Sequence, residues 1–128
     1  MPGVEGSRPT ILIVEDQADV RKLLSLTFRK LQCDLLEAAS ASDALAVLDN
    51  VVPAVVLLDV MLPGDRNGFD LCRQIKSDPR FAASKVVLMT AADQAAAREQ
   101  AAASGADHYV PKPFSPLSLR ELVGSLLV

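Results

Sequence analysis

The chain contains no tryptophan, one tyrosine, one histidine and two cysteines among its 128 residues. Cys33 and Cys72 lie too far apart for a CxxC pair, and His108 alone cannot complete a zinc site with them. Both thiols therefore read as small buried hydrophobes. No run of three Lys or Arg residues occurs and the net charge is −3, which argues against a non-specific nucleic-acid surface. The longest apolar stretch, Val51 to Leu62, is broken by Pro53 and Asp59, so nothing reaches the ~18 residues that span a bilayer. The N-terminus lacks the basic and apolar regions of a signal peptide, and a cytoplasmic location is expected. Neither GxGxxG nor GxxxxGK[ST] is present, which leaves dinucleotide and Walker-type sites unsupported.

Half of the residues are apolar and 23% are charged, a globular composition. The length fits one domain large enough to fold without disulfides or structural metal. Residues 1–8 have no periodicity and read as a loose lead-in to a domain over 9–128. Five strands are expected: Thr10–Val14, Cys33–Ala38, Val55–Leu58, Lys85–Met89 and Asp107–Val110. Several are apolar throughout, as in strands buried on both faces. Helical stripes alternate with them: Val20, Leu23, Leu24, Phe28 and Leu31; Ala41, Ala44, Leu45 and Leu48; Leu71, Cys72 and Ile75; an alanine-rich segment capped by Asp93 and stopped near Gly105; and Leu119, Leu122, Val123 and Leu126. Ser40 or Ser42 caps the second helix, which Asn50 ends, and Pro116 opens the last. Strand–helix alternation of this kind specifies an α/β doubly wound parallel sheet between two helical layers.

In such sheets the working site lies beyond the carboxyl ends of the strands. Strand one ends in Glu15-Asp16, strand three in Asp59 and strand four in Thr90, and strand five leads into Lys112. Strand two is expected to bring no polar group. If strands one and three are neighbours, Glu15, Asp16 and Asp59 converge. Carboxylates so close repel unless a cation intervenes, and an all-oxygen site favours a hard ion, Mg²⁺ first. Each residue also has a plainer reading: a polar turn for Glu15-Asp16, a β-branched strand end for Thr90, a solvated charge for Lys112. Together, a carboxylate nucleophile, a divalent cation, an ammonium and a hydroxyl are the parts needed to accept a phosphoryl group.

These residues resemble the receiver domain of two-component response regulators. The resemblance spans about residues 9 to 127. It rests on Val14-Glu15-Asp16, on Leu57-Leu58-Asp59-Val60-Met61-Leu62-Pro63, on Thr90-Ala91 and on Gly105-Ala106-Asp107-His108-Tyr109-Val110-Pro111-Lys112-Pro113-Phe114. It implies a flavodoxin-like fold with strand order 2-1-3-4-5. It implies phosphorylation of Asp59 by a histidine kinase or phosphotransfer protein. Mg²⁺ would be held by Asp16, Asp59, the Met61 carbonyl and, through water, Glu15. Lys112 would pair with the phosphoryl group, Thr90 would move to it, and Tyr109 would swing inward. The face built from the fourth helix, fifth strand and fifth helix would carry the change to an effector domain or partner protein. The Lys112–Pro113 peptide would be cis. The alanine-rich fourth helix offers a flat candidate surface for a homodimer. A stand-alone regulator and a receiver belonging to a longer protein both remain open.

One departure from the pattern stands out. The family places a glycine eight residues after the phosphoacceptor, whereas Gly64 and Gly68 lie five and nine after Asp59, an apparent one-residue insertion. Ala92 and Met61 stand at the positions that, in the family the chain resembles, modulate water attack on the phosphoaspartate, and neither would bring a carboxylate or amide to help that water. Two other readings compete: a small Mg²⁺-dependent phosphatase, which would want a second acid where Met61 stands, and a receiver used only for protein binding.

Overall fold

The computed structural model describes residues 8–90 and 95–127. Five strands run β1 (Thr10–Val14), β2 (Asp34–Ala38), β3 (Val55–Asp59), β4 (Lys85–Thr90) and β5 (His108–Pro111). The helices are α1 (Ala18–Phe28), α2 (Ala41–Leu48), α3 (Gly68–Lys76), α4 (Ala95–Ala103) and α5 (Pro116–Leu126), with a 3-10 turn at Pro79–Phe81. All strand pairs are parallel and the order is β2-β1-β3-β4-β5. The expected architecture and strand order are both present.

The two-residue period of the strands builds two cores. Ile11, Ile13, Val55, Leu57, Val87 and Met89 pack with Leu24 and Phe28 of α1 and Leu119 and Val123 of α5. Leu12, Val14, Val56, Leu58, Val86 and Leu88 face the other way, onto α2, α3 and Ala101 of α4. Cys33 and Cys72 are buried free thiols, and burial pushes both pKa values up.

Several boundaries shift. β2 begins at Asp34 rather than Cys33, because Cys33 turns inward against Phe28. α1 ends at Phe28, short of Leu31. Leu23, placed on the buried stripe by its spacing, is 44% exposed. Ser40, not Ser42, caps α2 by accepting the Asp43 N–H, and the helix closes at Leu48. Asn67 and Asp70 form a reciprocal capping box at α3. α4 stops before Gly105, whose φ is +87°. The Asp93 cap, Ala91 and Ala92 fall outside the described residues, as does nearly all of the expected lead-in. Among the described residues, no helix is long and apolar enough to cross a membrane.

Candidate functional site

The carboxyl edge of the sheet gathers the acids because β1 and β3 are neighbours and end level with each other. Glu15 continues the β1 edge, its N–H donating to the Ala38 carbonyl at 3.0 Å. Its side chain is fully buried. One oxygen accepts the Gln17 N–H at 3.1 Å and the other meets Lys112 Nζ at 3.1 Å. Asp59, the last residue of β3, is 4% exposed. Its Oδ1 accepts the Met61 N–H at 3.1 Å, and its Oδ2 accepts from Lys112 Nζ at 3.2 Å. Asp16 is exposed at the mouth. One oxygen from each of Glu15, Asp16 and Asp59 lies within 4.8 Å of the others. Asp16, Gln17, Asp59, Met61 and Lys112 line a pocket of about 310 Å³.

The remaining candidates sit around this pocket. Lys112 is placed by the β4–β5 edge: its N–H donates to the Thr90 carbonyl at 2.7 Å. Thr90 is buried one register step beyond Met89, which pairs with Asp59. The Lys112–Pro113 peptide is cis. Tyr109 pairs with Leu88, below the rim, and does not line the pocket. The Arg98 guanidinium lies 5.7 Å from the centre of its ring. Met61 is 71% exposed, and the contact it makes with Asp59 is through its backbone N–H.

Burial pushes the Glu15 pKa up, and the nearby Asp59 charge adds to this against the Gln17 N–H and Lys112. For Lys112, burial acts to lower the pKa, but the contacts to Glu15 and Asp59 outweigh it and the net shift is upward. Three acidic side chains against one ammonium leave a surplus of negative charge in a small space. The donor set is oxygen throughout, with neither Cys nor His in the cluster, which fits a hard divalent cation of the Mg²⁺ type.

Three features escaped the sequence reading. Gly68 packs against the end of β3: a Cβ there would overlap the Asp59 carbonyl oxygen and sit 2.6 Å from Val60 Cα. The Gly68 N–H donates to the Val60 carbonyl at 2.8 Å. The glycine that packs against the end of β3 is therefore Gly68, nine residues after Asp59, and not Gly64, where an added Cβ would meet nothing. Strand two also contributes to the rim, through Glu37, which binds Arg21 of α1 at 3.0 Å. Arg21 in turn donates to the Glu15 carbonyl at 2.7 Å. Finally, exposed Leu23 lines an apolar groove of about 590 Å³ with Val20, Pro113 and Phe114, sharing Gln17 and Lys112 with the acid pocket.

Comparison with known proteins agrees with this geometry. The family model for the response regulator receiver domain matches residues 11–124. The phosphate regulon transcriptional regulatory protein PhoB of Pseudomonas aeruginosa is 38% identical over 117 residues, covering 91% of this chain and 49% of its own length. The chain thus spans about half the length of that curated relative. A putative response regulator from Chloroflexus aurantiacus superposes with a TM-score of 0.87 at 30% identity, over 94% of this chain and 98% of that one. The BeF3-activated receiver domain of DrrB superposes with a TM-score of 0.85, also at 30% identity, over 94% and 98% of the two chains. By motif, topology and this similarity, the chain belongs to the receiver domain family of two-component response regulators.

Proposed function

We propose that the protein is a phosphoacceptor in a two-component phosphorelay, with Asp59 as the residue that receives the phosphoryl group. The observation that carries this is the setting of Asp59. Its buried carboxylate ends a central strand, one oxygen is on Lys112 Nζ, the other is on the Met61 N–H, and two further acids lie within reach of a shared cation.

An oxygen of Asp59 attacks the phosphorus of a phosphohistidine carried by a sensor kinase or phosphotransfer protein. The P–N bond breaks, and the imidazole leaves with the electron pair and takes a proton from water. The carboxylate becomes an acyl phosphate. Lys112 holds the Asp59 side chain in place beforehand and meets the new phosphoryl oxygens afterwards, as a point charge on a flexible stem. Asp16, Asp59 and the Met61 carbonyl, with Glu15 through water, are the groups that would hold Mg²⁺. When bound, the ion offsets charge on the transferring phosphoryl group. Burial of Asp59 and the Met61 N–H fix the direction from which the donor must approach. The apolar groove beside the pocket gives a donor protein a foothold that ends at Lys112.

The output is a change of conformational population. The phosphoryl group adds about −1.5 to −2 charge and three acceptor oxygens. It biases the domain only through contacts that differ between two positions of Thr90 and Tyr109. Those residues join the pocket to the α4-β5-α5 face, which would regulate an attached effector domain or a partner protein, or pair with a second copy. A phosphatase reading gains no support at Met61, which offers Asp59 a backbone N–H and no second acid.

Phosphorylation of wild type and Asp59→Asn with a histidine-kinase donor tests the assignment. Wild type is expected to take up acid-labile phosphate in the presence of Mg²⁺, and the variant none. A variant that labels at the wild-type rate refutes it. Release of more than one equivalent of phosphate in steady turnover would revive the phosphatase.

A further inference from the structure

Glu15 is the most fully anchored residue of the acid cluster. Its side chain and its N–H are held by Lys112, Gln17 and the Ala38 carbonyl. Its carbonyl lies beyond the last β1–β2 rung, Val14 with Ala38, so the sheet no longer fixes the direction in which the chain leaves. That direction places Asp16. The group that takes the Glu15 carbonyl is Arg21 Nη1, at 2.7 Å. The same guanidinium donates through Nε to Glu37 Oε1 at 3.0 Å, and Ser25 Oγ donates to Glu37 Oε2 at 2.9 Å. A strap therefore runs from α1 through the β2 edge and back to the backbone beneath the acids.

Two effects of Arg21 oppose each other. Its positive charge works against a cation nearby, whereas its hydrogen bond fixes the turn that presents Asp16. Glu37 decides between them. The carboxylate offsets the guanidinium charge and holds its planar fork in the orientation that reaches Glu15. The Arg21 side chain is only 20% exposed, against 46% for Glu37, so the arginine is not a loosely solvated partner of the ordinary surface kind. Positioning therefore outweighs repulsion.

We propose that Arg21, oriented by Glu37 and Ser25, is a positioning residue that sets the affinity of the Glu15–Asp16–Asp59 pocket for a divalent cation. This rests on the reading of that pocket as a cation site. Lysine at position 21 can reach one partner but lacks the fork needed to hold both, so Arg21→Lys behaves as a loss of the strap.

The test is calorimetric titration of the whole chain with MgCl₂, together with the amide NMR shifts of Glu15 and Asp16 without metal. Thermal melting without metal reports folding. Arg21→Ala is expected to raise the Mg²⁺ Kd roughly 10-fold or more, the range typical of groups that orient metal ligands. It also moves the two amide resonances before any metal is added. Glu37→Gln weakens binding less, and adds nothing in the Arg21→Ala background. Arg73→Ala, which removes the exposed pair with Asp70 on α3, leaves the Kd unchanged. Should Arg21→Ala fail to fold, Glu37→Gln and Ser25→Ala decide: weakened binding in both supports the strap, and wild-type binding in both overturns it. A folded Arg21→Ala that binds Mg²⁺ like wild type overturns the inference alone. Wild type that does not bind Mg²⁺ overturns the cation reading and this inference with it.

Discussion

Lys112 answers two acids at once, and its removal separates their roles. Lys112→Ala leaves Glu15 buried beside Asp59 without a cation, and breaking such a buried pair is expensive. The variant is expected to lose about 1–3 kcal/mol near neutral pH, read from denaturant melts. Its Glu15 pKa, already raised by burial in the wild type, rises further. A group whose folded pKa lies above its unfolded value costs stability when ionised. The loss therefore shrinks as pH falls from that raised value towards the ordinary carboxylate range. A deficit that stays constant through that window would show that Glu15 and Lys112 are not coupled. Gly68 supplies a second residue-level test. Gly68→Ala forces a methyl onto the Asp59 carbonyl, with an expected cost of about 1–3 kcal/mol and weaker Mg²⁺ binding, because the end of β3 must shift. Unchanged stability and affinity would show that the loop before Gly68 moves away freely. Both acids and the lysine were legible in the sequence, since each stands at or directly after a strand end. The role of Gly68 was not, because counting residues through a loop cannot tell which glycine makes the close approach.

At the scale of the elements, α3, β4 and β5 are joined by one carboxylate. Asp107 Oδ2 accepts the Val86 N–H at 2.8 Å and binds Lys76 Nζ at 3.0 Å, and Lys76 also donates to the Ser84 carbonyl at 3.1 Å. Burial acts to raise the Asp107 pKa, but the Val86 N–H and the Lys76 ammonium outweigh it and hold the group below the usual carboxylate value. A depressed folded pKa stabilises above the unfolded value and is lost as pH falls through the folded one. Asp107→Asn is therefore expected to cost about 1.5–3 kcal/mol near neutral pH. Its melting curve should converge with that of wild type under acid conditions, and a pH-independent gap would count against the charge as the source. Helix faces were only partly legible. Spacing placed Leu23 with Leu24 and Phe28, yet Leu23 lies outside the core, because periodicity marks an apolar stripe and not which edge of it another helix covers. Strand two read as silent because its last residue is Ala38. Glu37, one position earlier, acts through α1, a contact that depends on helix placement and has no sequence spacing of its own.

For the whole molecule, the doubly wound sheet was legible because strands, several of them apolar throughout, alternate with amphipathic helices and leave few other packings, whereas the strand order came from the family resemblance. That order makes β1 and β3 neighbours and brings three acids together at one edge. The three acids therefore carry an electrostatic cost that a bound divalent cation would relieve. Binding to the folded state alone stabilises by mass action, about 2.7 kcal/mol at a free concentration of 100 times Kd. Added MgCl₂ should raise the Tm of wild type in a concentration-dependent way, and that of Asp16→Ala much less. Equal shifts in both would mean that the ion acts elsewhere. Asp59 stands at the centre of the account, and the most direct measurement is chemical. The phosphorylated protein is reduced with borohydride, which converts an aspartyl phosphate to homoserine, and the peptides are then mapped by mass spectrometry. Homoserine at position 59 and at no other acid is the predicted result; homoserine at position 16, or phosphate recovered on a hydroxyl or on His108, would contradict it.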